Sequence, residues 1–470
     1  MSYDIVVIGS GPGGYVAAVR AAQLGAKVAV VEARDIGGTC LNRGCIPTKA
    51  LVRSAEIYDN VKSSKEYGVS VSGFELDFAR VMERKREVVQ RLVSGVEKLF
   101  DSNGVEVFRG KGSIPRPGVV EVTLNGEGGK KVLETKNIII ATGSGHALPP
   151  IPPDDIRLAV SSDDALEFQR PPKSMVIIGG GVLGIEFACI YHSFGTEIDV
   201  IKRSPLILPP VDDELSKRLM PVLKRKGIRI NTGIYIKGIE ALPDGTRRVV
   251  ADTKDGKEVS FEAETVLIAM GRVPDFGGLD LDGLGIAYSK KGIEVDQYMQ
   301  TSVPGIYAIG DVVGRFYLAP VASAEGILVV ENIMNPKERR PMDYSCVPQC
   351  VFSSPEAASV GLTETQAREA GYDIKVSKFP FSANGKAVAL GETEGLVKVV
   401  ADGPTGRILG MHILGPHATD LIHEGALAVK LGAHAKDVAY MIHAHPTLPE
   451  AVMEAAHGIE GHPIHLAKIR

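Results

Sequence analysis

Apolar residues open the chain in a short unbroken run, Ile5-Val6-Val7-Ile8. They continue at helical spacing from Val16 to Leu24 and gather again from Val28 to Val31. A short β-branched run bounded by glycine reads as a strand buried on both faces, and the spaced stretch reads as a helix. Gly9-Ser10-Gly11-Pro12-Gly13-Gly14 joins the first strand to the helix, and the second strand ends at Glu32. The plan then repeats. Val176-Ile177-Ile178 leads into Gly179-Gly180-Gly181-Val182-Leu183-Gly184, a helical stretch runs through Glu186 to Phe194, and a strand from Ile198 to Ile201 ends at Lys202. Gly9 and Gly179, Gly14 and Gly184, and Glu32 and Lys202 all stand 170 residues apart. Two unrelated glycine-rich turns do not produce a shared offset with strand, helix and strand in the same places.

Gly-x-Gly-x-x-Gly between a strand and a helix is a dinucleotide site. The first glycine (Gly9, Gly179) permits the tight turn. The second (Gly11, Gly181) lets a pyrophosphate approach the backbone, and the third (Gly14, Gly184) packs helix on strand with its N-terminus facing the phosphates. Glu32 suits a ribose hydroxyl, which donates to a carboxylate. Two such units imply two dinucleotides, and FAD with a nicotinamide nucleotide is the usual pair in hydride chemistry. The strand Ile138-Ile139-Ile140 runs into Ala141-Thr142-Gly143-Ser144, and the stretch from Thr301 closes on Gly310-Asp311; both support a flavin domain. A further strand, Val266 to Met270, ends at Gly271-Arg272. Pro149, Pro150, Pro152 and Pro153, and later Pro171-Pro172, read as connections. The expected division is a first dinucleotide domain over 1–150, a second over 151–270, a return of the first over 271–342, and a C-terminal domain of strands and helices over 343–470. The fold class is α/β, with two Rossmann-like units.

Composition narrows the setting. A chain of 470 residues is too long for one core. The net charge of −4 gives no electrostatic case for nucleic acid or an anionic membrane. No uncharged apolar stretch approaches the ~18–20 residues a membrane span needs. Met1 leads almost at once into a strand with no basic leader, and five cysteines do not make a secreted scaffold. A cytoplasmic location is expected, where a disulfide is more often catalytic than structural.

Cys40-Leu41-Asn42-Arg43-Gly44-Cys45 lies just after Glu32. Five residues of regular helix rise about 7.5 Å, whereas disulfides usually hold Cα atoms within about 6.8 Å. A bond here needs distorted backbone, which Gly37, Gly38, Gly44 and Pro47 permit. The alternative, two buried free thiols, is a common fate of cysteine. Lys49 is placed to lower a thiol pKa or to meet a flavin. Cys346 and Cys350 lie in an apolar run, Ser345 to Phe352, and read as structural, as does Cys189 on the second helix.

Near the C-terminus comes His443-Ala444-His445-Pro446-Thr447-Leu448-Pro449-Glu450, a proline-forced loop before a helix running through His457. A histidine oriented by a carboxylate takes a thiol proton near neutral pH. No Cys or Asp stands beside the pair at zinc-like spacing, so no metal is expected.

Taken together, the motif from Gly38 to Lys49, the motif from His443 to Glu450, both glycine turns and Gly310-Asp311 resemble the pyridine nucleotide–disulfide oxidoreductases, over essentially the whole chain. Within that family the likeness is greatest to the branch acting on dihydrolipoyl groups. The resemblance implies an FAD domain, an NAD(P) domain, a central domain and a C-terminal α+β dimerisation domain. It implies that Cys40 exchanges with substrate and Cys45 touches the flavin, and that Lys49 pairs with Glu186 near the ring. It further implies that Asp311 binds the ribityl chain and that Ala141, Thr142, Gly143 and Ala319 line the FAD site. His445, oriented by Glu450, would serve the other subunit of a homodimer. The implied reaction oxidises protein-bound dihydrolipoyl groups to the disulfide and reduces NAD(P)+. The implied partner is a lipoyl-bearing protein of a 2-oxo acid dehydrogenase or glycine cleavage complex.

Two departures matter. NAD-dependent members usually carry an acid where this chain has Lys202, and Lys202-Arg203 would attract a 2′-phosphate. Gly184, as the third glycine, looks NAD-like; NADP is expected to be at least tolerated. Leu318-Ala319-Pro320-Val321 stands where lipoamide-acting members carry His-Lys, and Pro-Val resembles glutathione reductase. The competing readings are therefore a glutathione-reductase-like NADPH enzyme and a non-catalytic flavoprotein subunit. Thr48 and Leu41-Asn42-Arg43 favour the lipoamide reading over the first, and retention of both cysteines and His445 argues against the second.

Overall fold

The computed structural model describes residues 2–126, 128–209 and 211–467. The chain forms two compact units. The first comprises Met1–Pro149, Val160–Arg170 and Met270–Met342, and the second comprises Pro150–Ala159, Pro171–Ala269 and Asp343–Arg470.

In the first unit, strand Ser2–Ile8 pairs in parallel with Val28–Glu32 on one side and with Lys130–Ile140 on the other. Glu106–Arg116 extends the sheet beyond Val28–Glu32, and Ile306–Ala308 extends it beyond Lys130–Ile140, both in parallel. Val119–Leu124 runs antiparallel to both Glu106–Arg116 and the first half of Lys130–Ile140. Ile5, Val6, Val7, Val30, Ile138 and Ile139 are wholly buried, as strands covered on both faces require. Helix Pro12–Gln23 packs closely on helix Ala319–Met334. At that crossing a Cβ on Gly326 would lie 2.7 Å from Gly13 O, so glycine sets the approach.

Residues 160–170 return to the first unit, inside the stretch expected to belong wholly to the second dinucleotide domain. The side chain of Lys85 is 2% exposed, donates to Leu166 O and is ion-paired with Glu167. Arg43 reaches Asp163 at 3.4 Å. These contacts tie the excursion back, and neither follows a local pattern.

In the second unit, Thr265–Ile268, Ser174–Ile178, Glu197–Lys202 and Arg229–Thr232 form a parallel sheet in that order. A three-stranded antiparallel sheet, Ile234–Ala241, Arg247–Thr253 and Glu258–Ala263, shares its core through Ile239, Val249 and Val176. The C-terminal segment is a five-stranded antiparallel sheet ordered Gln349–Val351, Glu356–Gly361, Ile408–Gly415, Leu396–Asp402 and Ile374–Pro380. Helices Ala418–Leu431 and Glu450–Glu460 cover one face over Val397, Val399, Met411 and Ile413. The apolar run from Ser345 to Phe352 is a strand only over Gln349–Val351; Pro348, which lacks an N–H, precedes it. Among the described residues, no helix is long and apolar enough to cross a membrane.

Candidate active site

The first glycine turn is held by contact. A Cβ on Gly14 would lie 1.9 Å from Gly9 O, and Gly9 has φ +103° with Ala141 O 2.3 Å from its would-be Cβ. A Cβ on Gly11 meets nothing within 4 Å, so the turn presents open backbone to a ligand there. Glu32, buried at the end of its strand, accepts from Ser10 N at 2.8 Å and Ser10 Oγ at 2.6 Å through one oxygen. Its other oxygen accepts from Arg34 N at 2.8 Å. The carboxylate is thus fixed beside the turn, and Ser10 is a member of this site that the glycine pattern does not reveal.

The cysteine hexapeptide is two helices meeting at a break. Helix Gly38–Arg43 ends at Gly44, whose φ −140° and ψ −115° leave helical space, and helix Cys45–Ser63 begins at once. This is the distortion that a close approach of the two sulfurs requires. Asn42 Nδ2 donates to Ile36 O and Gly38 O, each at 2.9 Å, and Arg43 pairs with Asp35 at 2.6 Å. A Cβ on Gly38 would lie 2.6 Å from the Cα of Gly11, so the hexapeptide sits directly on the first glycine turn. Both cysteines are thiols, Cys45 exposed and Cys40 less so. The Cys45 side chain shares a hydrogen bond with Cys40, and the Cys45 backbone N–H donates to the Cys40 sulfur. The shared hydrogen bond, then burial, push the Cys40 thiol well above the ordinary range, while Lys49, one turn into the second helix, pulls the other way. Two sulfurs in contact hold a proton between them, and loss of that proton is coupled to the pair.

Asp311 is the carboxylate that the family resemblance assigns to the ribityl chain of a flavin. Burial raises its pKa; its partners in the unit are the Ser144 hydroxyl, which donates to it, and Arg272 at 3.9 Å. Arg272 Nε donates to Ser144 Oγ at 2.6 Å. Strands Ser144–His146 and Arg272–Pro274 pair antiparallel and build this group. Gly310 N donates to the buried Glu325 at 2.6 Å, and Ala319 opens the helix that carries Glu325. Ala141 N continues the ladder to Ile8 O, Thr142 Oγ1 donates to Asp275 O, and Gly143 takes φ +79° with nothing within 4 Å of a Cβ. Open glycine backbone at Gly11 and Gly143, a fixed carboxylate at Glu32 and a buried carboxylate at Asp311 fit an FAD: one pyrophosphate, one ribose, one polyol chain.

The second glycine turn repeats the first: a Cβ on Gly184 would lie 1.9 Å from Gly179 O, and one on Gly181 meets nothing. Helix Val182–Ser193 carries Glu186, which is fully buried and accepts from Phe352 N at 3.0 Å. Lys202 lies over Gly180, its Cδ 2.9 Å from a would-be Cβ. Burial lowers its pKa, and it has no counter-ion among the described residues. Arg203 is exposed, 6.0 Å over the Tyr235 ring. Gly271, expected at the nicotinamide nucleotide, lies in the first unit, where its carbonyl accepts from Ala147 N at 2.9 Å.

His445 is 77% exposed at its side chain, and its Nδ1 meets Glu450 Oε1 at 2.8 Å. Glu450 Oε2 accepts from Thr447 N at 2.8 Å. Partial burial works against it, but the Thr447 N–H and the His445 ring hold the Glu450 carboxyl below the usual range. A carboxylate only accepts, so the ring proton sits on Nδ1 and Nε2 is left as a base. Cys346 Sγ donates to Ala426 O at 2.9 Å and Cys350 Sγ lies 3.8 Å from Thr419 O, both packed beside helix Ala418–Leu431.

Residues 3–326 match the family described as pyridine nucleotide-disulphide oxidoreductase, and residues 347–456 match its dimerisation domain. The chain is 44% identical to a dihydrolipoyl dehydrogenase of Bacillus subtilis, covering 98% of this chain and 99% of the relative. It is 41% identical to the mitochondrial dihydrolipoyl dehydrogenase of Pisum sativum, over 98% and 92% of the two chains. It is 42% identical to the dihydrolipoyl dehydrogenase of Geobacillus stearothermophilus, over 98% and 97%. With its paired thiols seated on a dinucleotide turn and both family regions matched, the chain belongs to the pyridine nucleotide–disulfide oxidoreductases.

Proposed function

We propose that the protein is a dihydrolipoyl dehydrogenase that oxidises protein-bound dihydrolipoyl groups through Cys40 and Cys45 and passes the electron pair by way of FAD to a nicotinamide nucleotide. The observation that carries this reading is the hexapeptide itself: two sulfurs in contact across a broken helix, packed on the first glycine turn. The working enzyme starts with those sulfurs as a disulfide. His445 Nε2 takes a proton from one substrate thiol, and the thiolate attacks Cys40 Sγ. The Cys40–Cys45 bond breaks and Cys45 leaves as a thiolate. The second substrate thiol then attacks the mixed disulfide and expels Cys40, releasing the lipoyl disulfide. Glu450 keeps the His445 ring oriented and steadies its cationic form. The chemistry supplied by FAD, when bound, is acceptance of the electron pair and its delivery as hydride. Glu32 and the backbone at Gly9, Gly11, Gly14, Gly143 and Gly310, with Asp311, would hold that group. Lys49 is assigned to its ring.

A homodimer supplies the rest. Leu427 and Leu431 on helix Ala418–Leu431 and Ile442 beside the His445 loop are 61%, 73% and 97% exposed, an apolar surface within the region matched as a dimerisation domain. In this reading His445 and Glu450 act on the thiol pair of the other subunit. The substrate is then a lipoyl arm on a 2-oxo acid dehydrogenase or glycine cleavage protein.

The test is oxidation of NADH and of NADPH by the purified protein with lipoamide and, separately, with oxidised glutathione. Lipoamide turnover without glutathione turnover is expected, and the reverse would establish the glutathione-reductase-like reading that Pro320-Val321 favours. Lys202, with no counter-ion among the described residues, supports use of NADPH as well as NADH. A preference of a hundredfold or more for NADH would refute that.

A further inference from the structure

One face of the C-terminal sheet carries helices; the other carries a row of polar side chains in register. Ser359 stands opposite His412, His412 opposite Lys398, and Lys398 opposite Lys378, across four adjacent strands. Ser359, His412 and Lys398 are each at most 4% exposed. An unpaired ammonium at such a site is prohibitive, so its partners define what the row is for.

Those partners lie at one end of helix Asp213–Lys226. Lys398 Nζ lies 2.9 Å from Asp212 Oδ1, 2.9 Å from Glu364 Oε2 and 3.4 Å from Glu214 Oε2. Lys378 meets Glu214 at 2.7 Å. Asp212 N donates to Ser359 Oγ at 3.4 Å, and Asp212 Oδ2 accepts from Glu364 N at 3.3 Å. Asp212 caps the helix by accepting from Glu214 N at 3.0 Å. Every member of the row but His412 therefore bonds directly to residues 212–214.

Just before Asp212 the chain closes over the second glycine turn. Leu208 N donates to Gly180 O at 2.8 Å, and Ile207 Cγ2 lies 3.1 Å from a would-be Cβ on Gly180. Ser216 Oγ donates to Ile207 O at 2.8 Å from within the helix. Leu208 has φ +51°, a conformation that a leucine keeps only where its surroundings impose it. Ile207 and Leu208, pressed on the glycine turn, are thus tied through Ser216 to a helix whose first residues are held by a buried ion cluster.

We propose that Lys398, through Asp212 and Glu214, is a positioning residue for the nicotinamide nucleotide site: it fixes the start of the helix whose Ser216 holds Ile207, keeps Ile207 and Leu208 against Gly180, and so sets nucleotide affinity without touching the nucleotide. The inference rests on reading the second glycine turn as that site. It predicts an asymmetry that general loss of structure would not give. In stopped-flow reduction of the flavin of the holoenzyme, Lys398→Met raises the half-saturating NADH concentration at least fivefold. Reduction by dihydrolipoamide stays within twofold of the parent. Amide exchange at Leu208 speeds up at least tenfold. Asp212→Asn gives the same pattern and serves where Lys398→Met does not fold. An unchanged NADH dependence, a parallel fall in both arms, or unchanged Leu208 exchange would overturn the proposal. The exchange and NADH arms need no lipoamide, so a parent enzyme inactive on lipoamide would sink the proposed function and leave this test standing.

Discussion

The two glycine turns share one backbone and differ in what stands at the end of the next strand. At the first, Glu32 is buried and held by Ser10 and Arg34 backbone and hydroxyl donors. At the second, Lys202 is partly desolvated and has no counter-ion among the described residues. Steric demands are equal, since Gly14 and Gly184 each leave 1.9 Å for a Cβ. The backbone shape is therefore the same at both turns, and the proposed choice of nucleotide rests on the charge at the end of the next strand. The first turn is built for a group that stays, its carboxylate oriented before the ligand arrives.

The largest expected effect separates the thiol-bearing half from the nucleotide half. Cys40→Ser or Cys45→Ser should cut lipoamide turnover by roughly a thousandfold or more, since neither variant can form the disulfide that takes the electron pair from the substrate. Flavin content and flavin reduction by NADH should persist; lipoamide turnover that survives either change would remove the thiols from the relay. Next, the steric equality of the turns should have unequal consequences. Gly14→Ala is expected to yield colourless protein. Gly184→Ala should stay yellow but lose roughly a hundredfold or more in flavin reduction by NADH, because a Cβ must displace the cradle. Yellow Gly14→Ala protein would mean that the first turn is not the FAD site.

The charges come next in size. Glu32→Gln removes a charge-assisted hydrogen bond, worth about 1.5–3 kcal/mol, so FAD should bind about 10- to 100-fold more weakly on equilibrium dialysis. Lys202→Glu should lower the ratio of NADPH to NADH efficiency by roughly tenfold or more, with lipoamide kinetics at saturating NADH unchanged. A ratio that does not move would take Lys202 out of the nucleotide site.

The smallest effect is one of pH. Burial, opposed by Asp212, lowers the His412 pKa from the ordinary 6.5 to about 4. Between those values the unfolded chain binds a proton that the folded chain refuses, so stability rises with pH across the window. The contribution is complete above about 6.5 and is lost toward 4, roughly 3 kcal/mol in all. Urea titrations at pH 7 and 4.5 should show this slope, and His412→Leu should flatten it by that amount; an unflattened slope would assign the loss to other groups.

Much of this was legible in the chain because it is local. Strand, glycine turn, helix and charged strand end fall within a single stretch of each unit, and Cys40 to Lys49 and His445 to Glu450 are contiguous. What escaped is what long-range pairing creates. Ser10 meets Glu32 only once two strands lie side by side. Ser144, Arg272 and Asp311 come together through a two-stranded pairing of distant segments. Lys398 is the clearest case. It sits in Leu396–Asp402, where six successive residues are buried, and nothing in that apolar run says that its alternate face meets Asp212. Only the register with His412 and Ser359 does. The return of 160–170 to the first unit is hidden for the same reason: Lys85 and Arg43 hold it through contacts that no local pattern encodes.

The direct test of the relay is to count electrons. Anaerobic titration of the purified flavoprotein with dithionite, followed by flavin absorbance and thiol assay, should take up about four electrons per flavin, because the Cys40–Cys45 disulfide and the flavin each store two. Cys45→Ser should take up about two. A parent protein that also stops at two, with no thiols appearing, would contradict the account.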